Sequence, residues 1–422
     1  MCQNAGSWRL FSLKEQFSGL FRALRSRNFR LFFAGQSLSL VGTWMQRVAM
    51  GWLVYRLTLS PSALGLVDFV SQIGTFLLGF FAGTFVDRTN LRRLLVWTQA
   101  LAMAQAFVLA GLVLTGRPTF WAVLVCGAFL GMINAFDIPA RNAFVIRMVE
   151  KKEDLGNAIA LNSTLFSLAR LLGPSIAGFV IAAVGEGICF LLNGLSYFSI
   201  ILALGLMKLP PAPNVQAAGP TVFSGTREGL LYAWKQGEIR AILGLLCCLS
   251  LFGFPYVVMM PVFAREILHG GPRTLGLLMG ATGSGALAGA LLLASRKDGE
   301  AIGRFIPILS TVFAASVIGM ALVRHPMASY GFVASAGFGM ITIMAVCNTV
   351  LQTLVCDRFR GRVLSLFMMS LVGIAPFGSL IVGWLSERFG ICQALAIGGG
   401  LCLVASILFW RRNAHERIHS LA

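Results

Sequence analysis

Twelve long apolar runs follow one another along the chain, separated by short polar breaks. They occupy residues 30–55, 63–86, 94–115, 118–138, 157–184, 187–207, 239–264, 274–295, 303–323, 328–352, 363–386 and 391–410. A helix needs about 20 apolar residues to cross a bilayer, and the alternating segments of about ten residues that build membrane β-barrels are absent from the sequence. Only 12% of the residues are charged, against roughly a quarter in a soluble domain. We therefore predict an all-α polytopic membrane protein with twelve transmembrane helices.

Basic residues recur on alternate connections between these runs. With both termini in the cytoplasm, 26 lysines and arginines lie on that side and 6 on the other, while Arg47 and Arg170 fall inside helices. Because basic residues near helix ends stay on the cytoplasmic side, both termini are predicted to be cytoplasmic. The net charge of +18 is spread over short loops, which favours anionic membrane lipids as partners and argues against nucleic acid.

The longest Pro/Gly-rich break runs from Pro210 to Gly225, near the middle of the chain. It divides the sequence into two halves of six predicted helices each. The predicted segments are a basic amphipathic cytoplasmic N-terminus at 1–29, six-helix bundles at 30–208 and 239–410, a cytoplasmic linker with an amphipathic helix at 209–238, and a cytoplasmic tail at 411–422. A disordered basic tail is the alternative for the first of these segments.

Glycines repeat between the two halves at two fixed offsets. With an offset of 211, Gly42, Gly65 and Gly74 match Gly253, Gly276 and Gly285; with an offset of 205, Gly156, Gly173, Gly178 and Gly185 match Gly361, Gly378, Gly383 and Gly390. Such a repeat predicts two six-helix pseudo-repeats, an arrangement with which many secondary transporters alternate the access to a central site.

The connection between the second and third runs, GTFVDRTNLRR, begins at Gly83 and contains Asp87. A carboxylate at the C-terminal end of a helix is disfavoured by the helix dipole and needs a partner from elsewhere. The pattern resembles the loop signature of major facilitator transporters, which implies a latch that holds the two halves together at the cytoplasmic side. The residues assigned to the latch are Gly83, Asp87, Arg88, Arg92, Asp137 and Arg141. The alternative is that these arginines only follow the positive-inside rule.

The fifth run carries Gly173, Pro174 and Gly178, where a proline kink and close helix crossing are expected. This segment resembles the Gly-Pro motif of exporters in the same superfamily. Further blocks that begin at Gly42, Asn134, Leu155 and Phe359 are similar to the bacterial exporter branch that includes enterobactin, multidrug and macrolide effluxers. The resemblance implies a proton-coupled exporter of an amphipathic drug or siderophore in the bacterial inner membrane. A lysophospholipid translocator, or a non-transporting membrane sensor or assembly protein, are the alternatives.

Charged residues inside a bilayer are expensive and mark candidate sites. Arg47 and Asp68 lie at the same depth, roughly 8–10 Å below the outer surface at 1.5 Å per residue, so they are expected to pair. The pair is either a static structural ion pair or the proton-coupling site. Arg170 lies near the middle of its run and either attracts an anionic cargo or binds the backbone carbonyls that Pro174 leaves free.

Polar and adaptable apolar side chains are predicted to line a substrate cavity. The candidates are Trp44, Gln46, Gln72, Arg170, Tyr256 and Met260. The sequence has no phosphate-binding loop, which argues against ATP as the energy source, and its His and Cys residues lack the spacing of a metal site. We expect no enzyme activity, no cofactor and no metal, and a monomer whose partners are a small-molecule substrate and protons.

Overall fold

The computed structural model describes residues 22–149, 151–208, 222–294 and 303–419, and these residues form helices without any strand. The first half contains α1 (Arg27–Thr58), α2 (Pro61–Arg88), α3 (Leu91–Leu114), α4 (Phe120–Met148), α5 (Leu155–Val184) and α6 (Glu186–Leu206). An amphipathic helix α7 (Val222–Lys235) follows. The second half contains α8 (Gly237–Ile267), α9 (Pro272–Ala294), α10 (Ile306–Leu322), α11 (Pro326–Leu354), α12 (Asp357–Phe389) and α13 (Ile391–His419).

Eleven helices of the described residues are long and apolar enough to cross a membrane. They are α2 to α6 and α8 to α13, which confirms the prediction of an all-α polytopic membrane protein. Helix α1 is not among them, although its 32 residues span about 48 Å at 1.5 Å per residue. Its Gln36, Gln46 and Arg47 lower the hydropathy. The count of twelve spans therefore stays a prediction.

Each half packs through a matching set of helix pairs. In the first half α1 contacts α5 and α6, α2 contacts α4, and α3 contacts α4 and α6; in the second half α9 contacts α11, α10 contacts α11 and α13, and α12 contacts α13. The two halves meet mainly through α2 against α12 and α5 against α9. We call the end at which α1 begins the basic end and the opposite end the far end.

Glycines make both contacts between the halves possible. A Cβ atom added to Gly65 of α2 would lie 2.3 Å from the carbonyl oxygen of Ser379 in α12, and one on Gly383 would lie 2.8 Å from that of Pro61. At the other contact, a Cβ on Gly178 of α5 would lie 2.5 Å from the Cα of Gly276. The sequence repeat pairs Gly65 with Gly276 and Gly178 with Gly383, so equivalent residues form the two contacts.

Other repeated glycines also occupy equivalent positions. Gly185 and Gly390 follow α5 and α12 with φ of 85° and 86°, a conformation that side chains other than glycine avoid. Gly74 and Gly285 let α2 and α9 approach the backbones of α4 and α11. Around Gly156 and Gly361, by contrast, an added Cβ would have no described neighbour within 4 Å.

The second half departs from regular α-helix at three π-helical turns, two of which touch each other; the third, Phe263–Ile267, ends α8. Helix α8 contains a π-helical turn at Leu249–Gly253, followed by a 3-10 turn at Phe254–Val257. Helix α12 contains a π-helical turn at Met369–Gly373. The Ser250 hydroxyl in the first turn donates a hydrogen bond of 2.8 Å to the Leu371 carbonyl in the second. In the first half, α1 to α6 are α-helical along their described length.

Helix α7 lies against the first turns of α12. The rings of Tyr232 and Phe359 stack at 4.3 Å between centroids, and Arg362 forms a 2.5 Å ion pair with Glu228. Helix α7 overlaps the segment that the sequence predicts to be an amphipathic linker helix. Most of the predicted N-terminal segment and the first part of the linker, residues 1–21 and 209–221, lie outside the described residues, and the domain boundaries stay predictions.

The Gly178–Gly276 contact predicts opposite effects for two Gly→Ala substitutions. In Gly276→Ala, the new methyl group would lie 2.7 Å from the Gly178 Cα, and such overpacking costs about 1–3 kcal/mol. In the control Gly111→Ala, no described atom lies within 4 Å of the new methyl group, so stability is expected to be unchanged or higher. Thermal unfolding of the purified variants measures the difference, and equal melting temperatures would contradict the tight contact.

Candidate functional site

A cavity of about 480 Å³ lies between the halves, within the range of about 300–1,000 Å³ that is usual for small-molecule sites. Side chains from both halves line it, on α1 to α6 and on α8, α9, α11 and α12. Its charged lining residues are Arg47, Asp68, Asp137, Arg141 and Arg170. The rest of the wall is mostly apolar, with Met279, Val257 and Pro261 among its side chains.

Asp68 connects three helices at the far side of this cavity. Its carboxylate accepts hydrogen bonds from Arg47 of α1 at 3.3 Å, from Gln72 of α2 at 2.6 Å and from Ser379 of α12 at 2.6 Å. The Asp68 side chain is only 11% exposed, whereas that of Arg47 is 53% exposed. Arg47 and Asp68, which the sequence predicts to lie at equal depth, therefore form an ion pair. The Asp68 carboxylate also accepts a hydrogen bond from Ser379 in the other half.

Ser379 is a residue that the sequence analysis missed. It lies next to Gly378 and one turn before Gly383, two glycines of the repeat. Because Gly65 lets α12 approach closely, the Ser379 hydroxyl reaches Asp68, one turn further along α2. The sequence signal that could have identified Ser379 is its position among the repeated glycines. A serine by itself is no such signal, because serine is common in membrane helices.

Trp44 supports two arginines in the cavity wall. The guanidinium carbons of Arg47 and Arg170 lie 5.6 Å and 5.7 Å from its ring centroid, within the range of a cation–π contact. Phe166 packs edge-on against the same indole at 5.8 Å. Gly173 makes room for this arrangement, because a Cβ there would lie 2.5 Å from the Cβ of Trp44.

Arg170 has no carboxylate partner among the described residues. It also has no described hydrogen bond to a backbone carbonyl, so the idea that it binds the carbonyls freed by Pro174 finds no support. Helix α5 continues through Pro174 to Val184. The remaining expectation for Arg170, a cation that faces the cavity, matches its place in the lining.

Two predicted cavity residues lie elsewhere. Tyr256 and Met260 are fully buried and do not line the cavity. The π and 3-10 turns of α8 change the direction of its side chains, so that Tyr256 packs against Phe313, 6.1 Å between ring centroids. Their neighbours Phe254 and Val257 contribute to the cavity wall instead.

The two predicted glutamines line the cavity, and both are engaged in hydrogen bonds. Gln46 is 1% exposed, donates to Gln105 at 2.9 Å and accepts from Asn193 at 2.7 Å. It therefore ties α1 to α3 and α6. Gln72 donates a hydrogen bond to Asp68 and thereby supports the Arg47–Asp68 ion pair. Trp44 and Arg170 are the two predicted cavity residues that line the cavity and take no part in these hydrogen-bond networks.

The latch residues whose side-chain bonds the structure describes bond within the first half. Asp137 accepts hydrogen bonds from Thr98 at 2.8 Å and Gln99 at 2.7 Å and forms an ion pair with Arg141, all within the first half. Arg92 donates to the carbonyl of Gly205 at 2.7 Å. Arg88 is exposed, and no described atom lies within 4 Å of a Cβ added to Gly83. The side chain of Asp87 lies outside the described residues.

Polar contacts between the halves lie in the far part of the bundle. Tyr55 of α1 donates a short hydrogen bond to Glu266 of α8. Glu387 of α12 accepts from the Ser60 hydroxyl at 2.7 Å and from the Ser62 backbone N–H at 3.1 Å, at the start of α2. The cavity extends from this closed far end toward the basic end as far as Asp137 and Arg141. This geometry is that of a bundle closed at the far end.

The arrangement is suited to recognising a small molecule by charge and shape. The described residues contain no group of three or more His, Cys, Asp or Glu side chains that could hold a metal ion. The cavity offers arginine guanidinium groups, one indole and apolar walls.

Comparison with known proteins gives consistent matches over nearly the whole chain. A family model described as "transmembrane secretion effector" matches residues 18–419. The Staphyloferrin A transporter of Staphylococcus aureus is 24% identical over 407 residues, which cover 91% of this chain and 96% of that protein. The multidrug efflux pump Tap of Mycobacterium bovis is 25% identical over 387 residues, which cover 87% of this chain and 88% of that pump.

A solved structure shows the same fold. The bacterial homologue of the iron transporter ferroportin, in an inward-facing state, aligns with a TM-score of 0.70 at 16% identity. The alignment covers 91% of this chain and 98% of that one.

Asp137 is expected to be a structural residue of the first half. In Asp137→Asn, the partly buried Arg141 loses its charged partner, the buried Asp137 carboxylate, which is expected to lower the stability by about 3 kcal/mol. The control is Asp357→Asn, which removes the exposed partner of Arg360 at the basic end and should cost less than about 1 kcal/mol. Thermal unfolding in detergent separates the two; similar melting temperatures would show that the Asp137 network contributes little.

Proposed function

The chain belongs to the transmembrane secretion effector family of the major facilitator superfamily, and we propose on this basis that it is a secondary exporter of an amphipathic small molecule. The family and the relatives of this chain are transporters and not enzymes. With eleven apolar helices and bacterial relatives, it is an integral protein of the bacterial plasma membrane. A drug or a siderophore, as carried by these relatives, is the proposed type of cargo.

The observation that carries this proposal is the charged cavity between two halves whose described polar contacts with each other lie toward the far end. Helix contacts at Gly65–Gly383 and Gly178–Gly276 hold the far end together, and the cavity extends toward the basic end. Rocking of one half against the other about these contacts would expose the cavity to each side in turn. With the basic end in the cytoplasm, the structure corresponds to the state that loads cargo from inside.

Proton coupling is proposed at Asp68. Its carboxylate is the acceptor for Arg47, Gln72 and Ser379, the last of which belongs to the other half. Protonation would remove the negative charge that Arg47 pairs with and weaken the charge-assisted bond across the halves. A change in the charge of Asp68 would thereby affect the Asp68–Ser379 hydrogen bond, which joins the two halves while the far end is closed.

The latch is proposed for the opposite state, in which the basic ends come together. Gly83, Asp87, Arg88 and Arg92 lie at the basic end of α2 and on the connection to α3, where the family signature places them. Arg362, at the start of α12, would be within reach of that latch after it leaves Glu228, its partner in this structure. Closure there would stabilise the state that releases cargo outside.

Of the alternatives, a non-transporting sensor predicted an occluded centre without a cavity around Arg170. Arg170 lines the cavity instead, which supports transport. Lipid translocation predicts a lateral opening between the halves, and the described contacts of α2 with α12 and of α5 with α9 do not favour it.

The test of export and of coupling is uptake into inverted membrane vesicles with an imposed pH gradient. The cargo probes are three pyrene compounds with negative, zero or positive charge. Wild-type uptake of the accepted probe is expected to fall when an uncoupler collapses the gradient. Asp68→Asn, which keeps the shape and the acceptor oxygen, is expected to lower uptake to the level of the uncoupled wild type.

The matched control is Asp357→Asn, which removes an exposed carboxylate outside the cavity and should behave like the wild type. Gradient-dependent uptake that survives in Asp68→Asn would remove Asp68 from the coupling step. Wild-type vesicles that take up none of the probes, with or without a gradient, would count against export of amphipathic small molecules.

A further inference from the structure

We propose that the cargo is an amphipathic organic anion, whose acidic group binds Arg170 while its apolar body lies against Trp44 and Phe166. This inference rests on the proposed export function and names the chemical class of its cargo. It follows from the charges in the cavity, from the surroundings of Arg170 and from the apolar wall beside it.

The charges of the cavity do not cancel. Its lining contains three arginines and two aspartates. Asp68 pairs with Arg47 and Asp137 pairs with Arg141, which leaves Arg170 as the surplus cation. A cation without a charged partner inside a membrane protein is unfavourable unless a counter-ion arrives. An anionic group on the cargo supplies that counter-ion.

The immediate surroundings of Arg170 hold its guanidinium in place without occupying its donors. The contact with Trp44, 5.7 Å from the guanidinium carbon to the ring centroid, is made with an aromatic ring, which offers neither a carboxylate nor a carbonyl acceptor. Among the described residues no oxygen accepts a hydrogen bond from it. A planar guanidinium with free N–H groups binds a carboxylate through two parallel hydrogen bonds, as a lysine cannot.

The wall beside Arg170 fits an apolar or aromatic body. Trp44 and Phe166 meet edge-on at 5.8 Å, and Met279, Val257 and Val258 line the side contributed by the second half. A cationic cargo would be repelled by Arg170, and a neutral cargo would leave the surplus charge uncompensated. Outward movement of an anion is also favoured by a membrane potential that is negative inside.

The test uses three probes with the same pyrene body and different charge: pyrenebutyrate, pyrenebutyramide and pyrenebutylamine. Binding to the purified protein is measured by energy transfer from tryptophan to pyrene, and transport is measured separately in inverted vesicles. The variants are Arg170→Gln, Arg170→Lys and, as a control, Arg117→Gln, which removes an exposed arginine outside the cavity.

Wild type is expected to bind pyrenebutyrate at least about tenfold more tightly than the amide, since a bond between two charged groups is lost with the amide. Arg170→Gln should remove this preference, Arg170→Lys should keep part of it, and Arg117→Gln should match the wild type. Because Arg170→Gln removes an unpaired charge, it should melt at or above the wild-type temperature, so loss of binding cannot be ascribed to unfolding.

Equal binding of the three probes by the wild type, or an anion preference that persists in Arg170→Gln, would overturn the proposal. Uptake of the amide or the amine without uptake of pyrenebutyrate would also overturn it while leaving export intact. Conversely, Arg170-dependent binding of pyrenebutyrate without any uptake would support the anion site and count against export.

Discussion

Close backbone contact at two helix crossings determines the rest of this structure. Side chains larger than hydrogen do not fit where Gly65 meets α12 or where Gly178 meets Gly276. Van der Waals contact between backbones replaces the hydrophobic effect, which cannot drive one apolar helix against another in lipid. Both crossings lie toward the far end, and the central cavity extends from there toward Asp137 and Arg141 near the basic end. The Asp68–Ser379 bond exists because the same approach brings α12 beside α2.

Inside this apolar scaffold, polar side chains are satisfied by one another. Gln46 joins Gln105 and Asn193, and Asp137 joins Thr98, Gln99 and Arg141. A hydrogen bond between helices replaces an otherwise unsatisfied polar group in the bilayer. These networks fix the first half as a unit. Arg170 stands apart from them, since an aromatic face is its described contact. Polar groups that bond one another have a structural role, whereas a polar group without such bonds, like Arg170, is available to bind a cargo.

The sequence predicted positions along helices better than directions around them. Equal depth in the membrane predicted the Arg47–Asp68 pair, and the glycine repeat contains the glycines of both crossings. Both inferences depend only on counting residues along a helix. Tyr256 and Met260 were predicted to line the cavity, but a π turn followed by a 3-10 turn changes the direction of the side chains around the helix. The sequence analysis did not predict these turns. Ser379 was missed because its role arises from a helix more than 300 residues away. Helix α1 has a lower hydropathy than the eleven candidate spans, because polar side chains such as Gln46 and Arg47 face a hydrogen-bond network and the cavity.

The π-helical turns of α8 and α12 make the two halves structurally unequal. Each such turn contains one residue more than an α-turn, and the turns of α8 and α12 are joined by the bond from Ser250 to Leu371. If the extra residue passes into the regular helix, the segment beyond it advances by about 1.5 Å and turns by about 100°. The second half therefore contains an extra residue at each π-helical turn of two helices that border the cavity. The first half is α-helical throughout its described length, so a register shift of this kind is open to the described helices of the second half and not to those of the first.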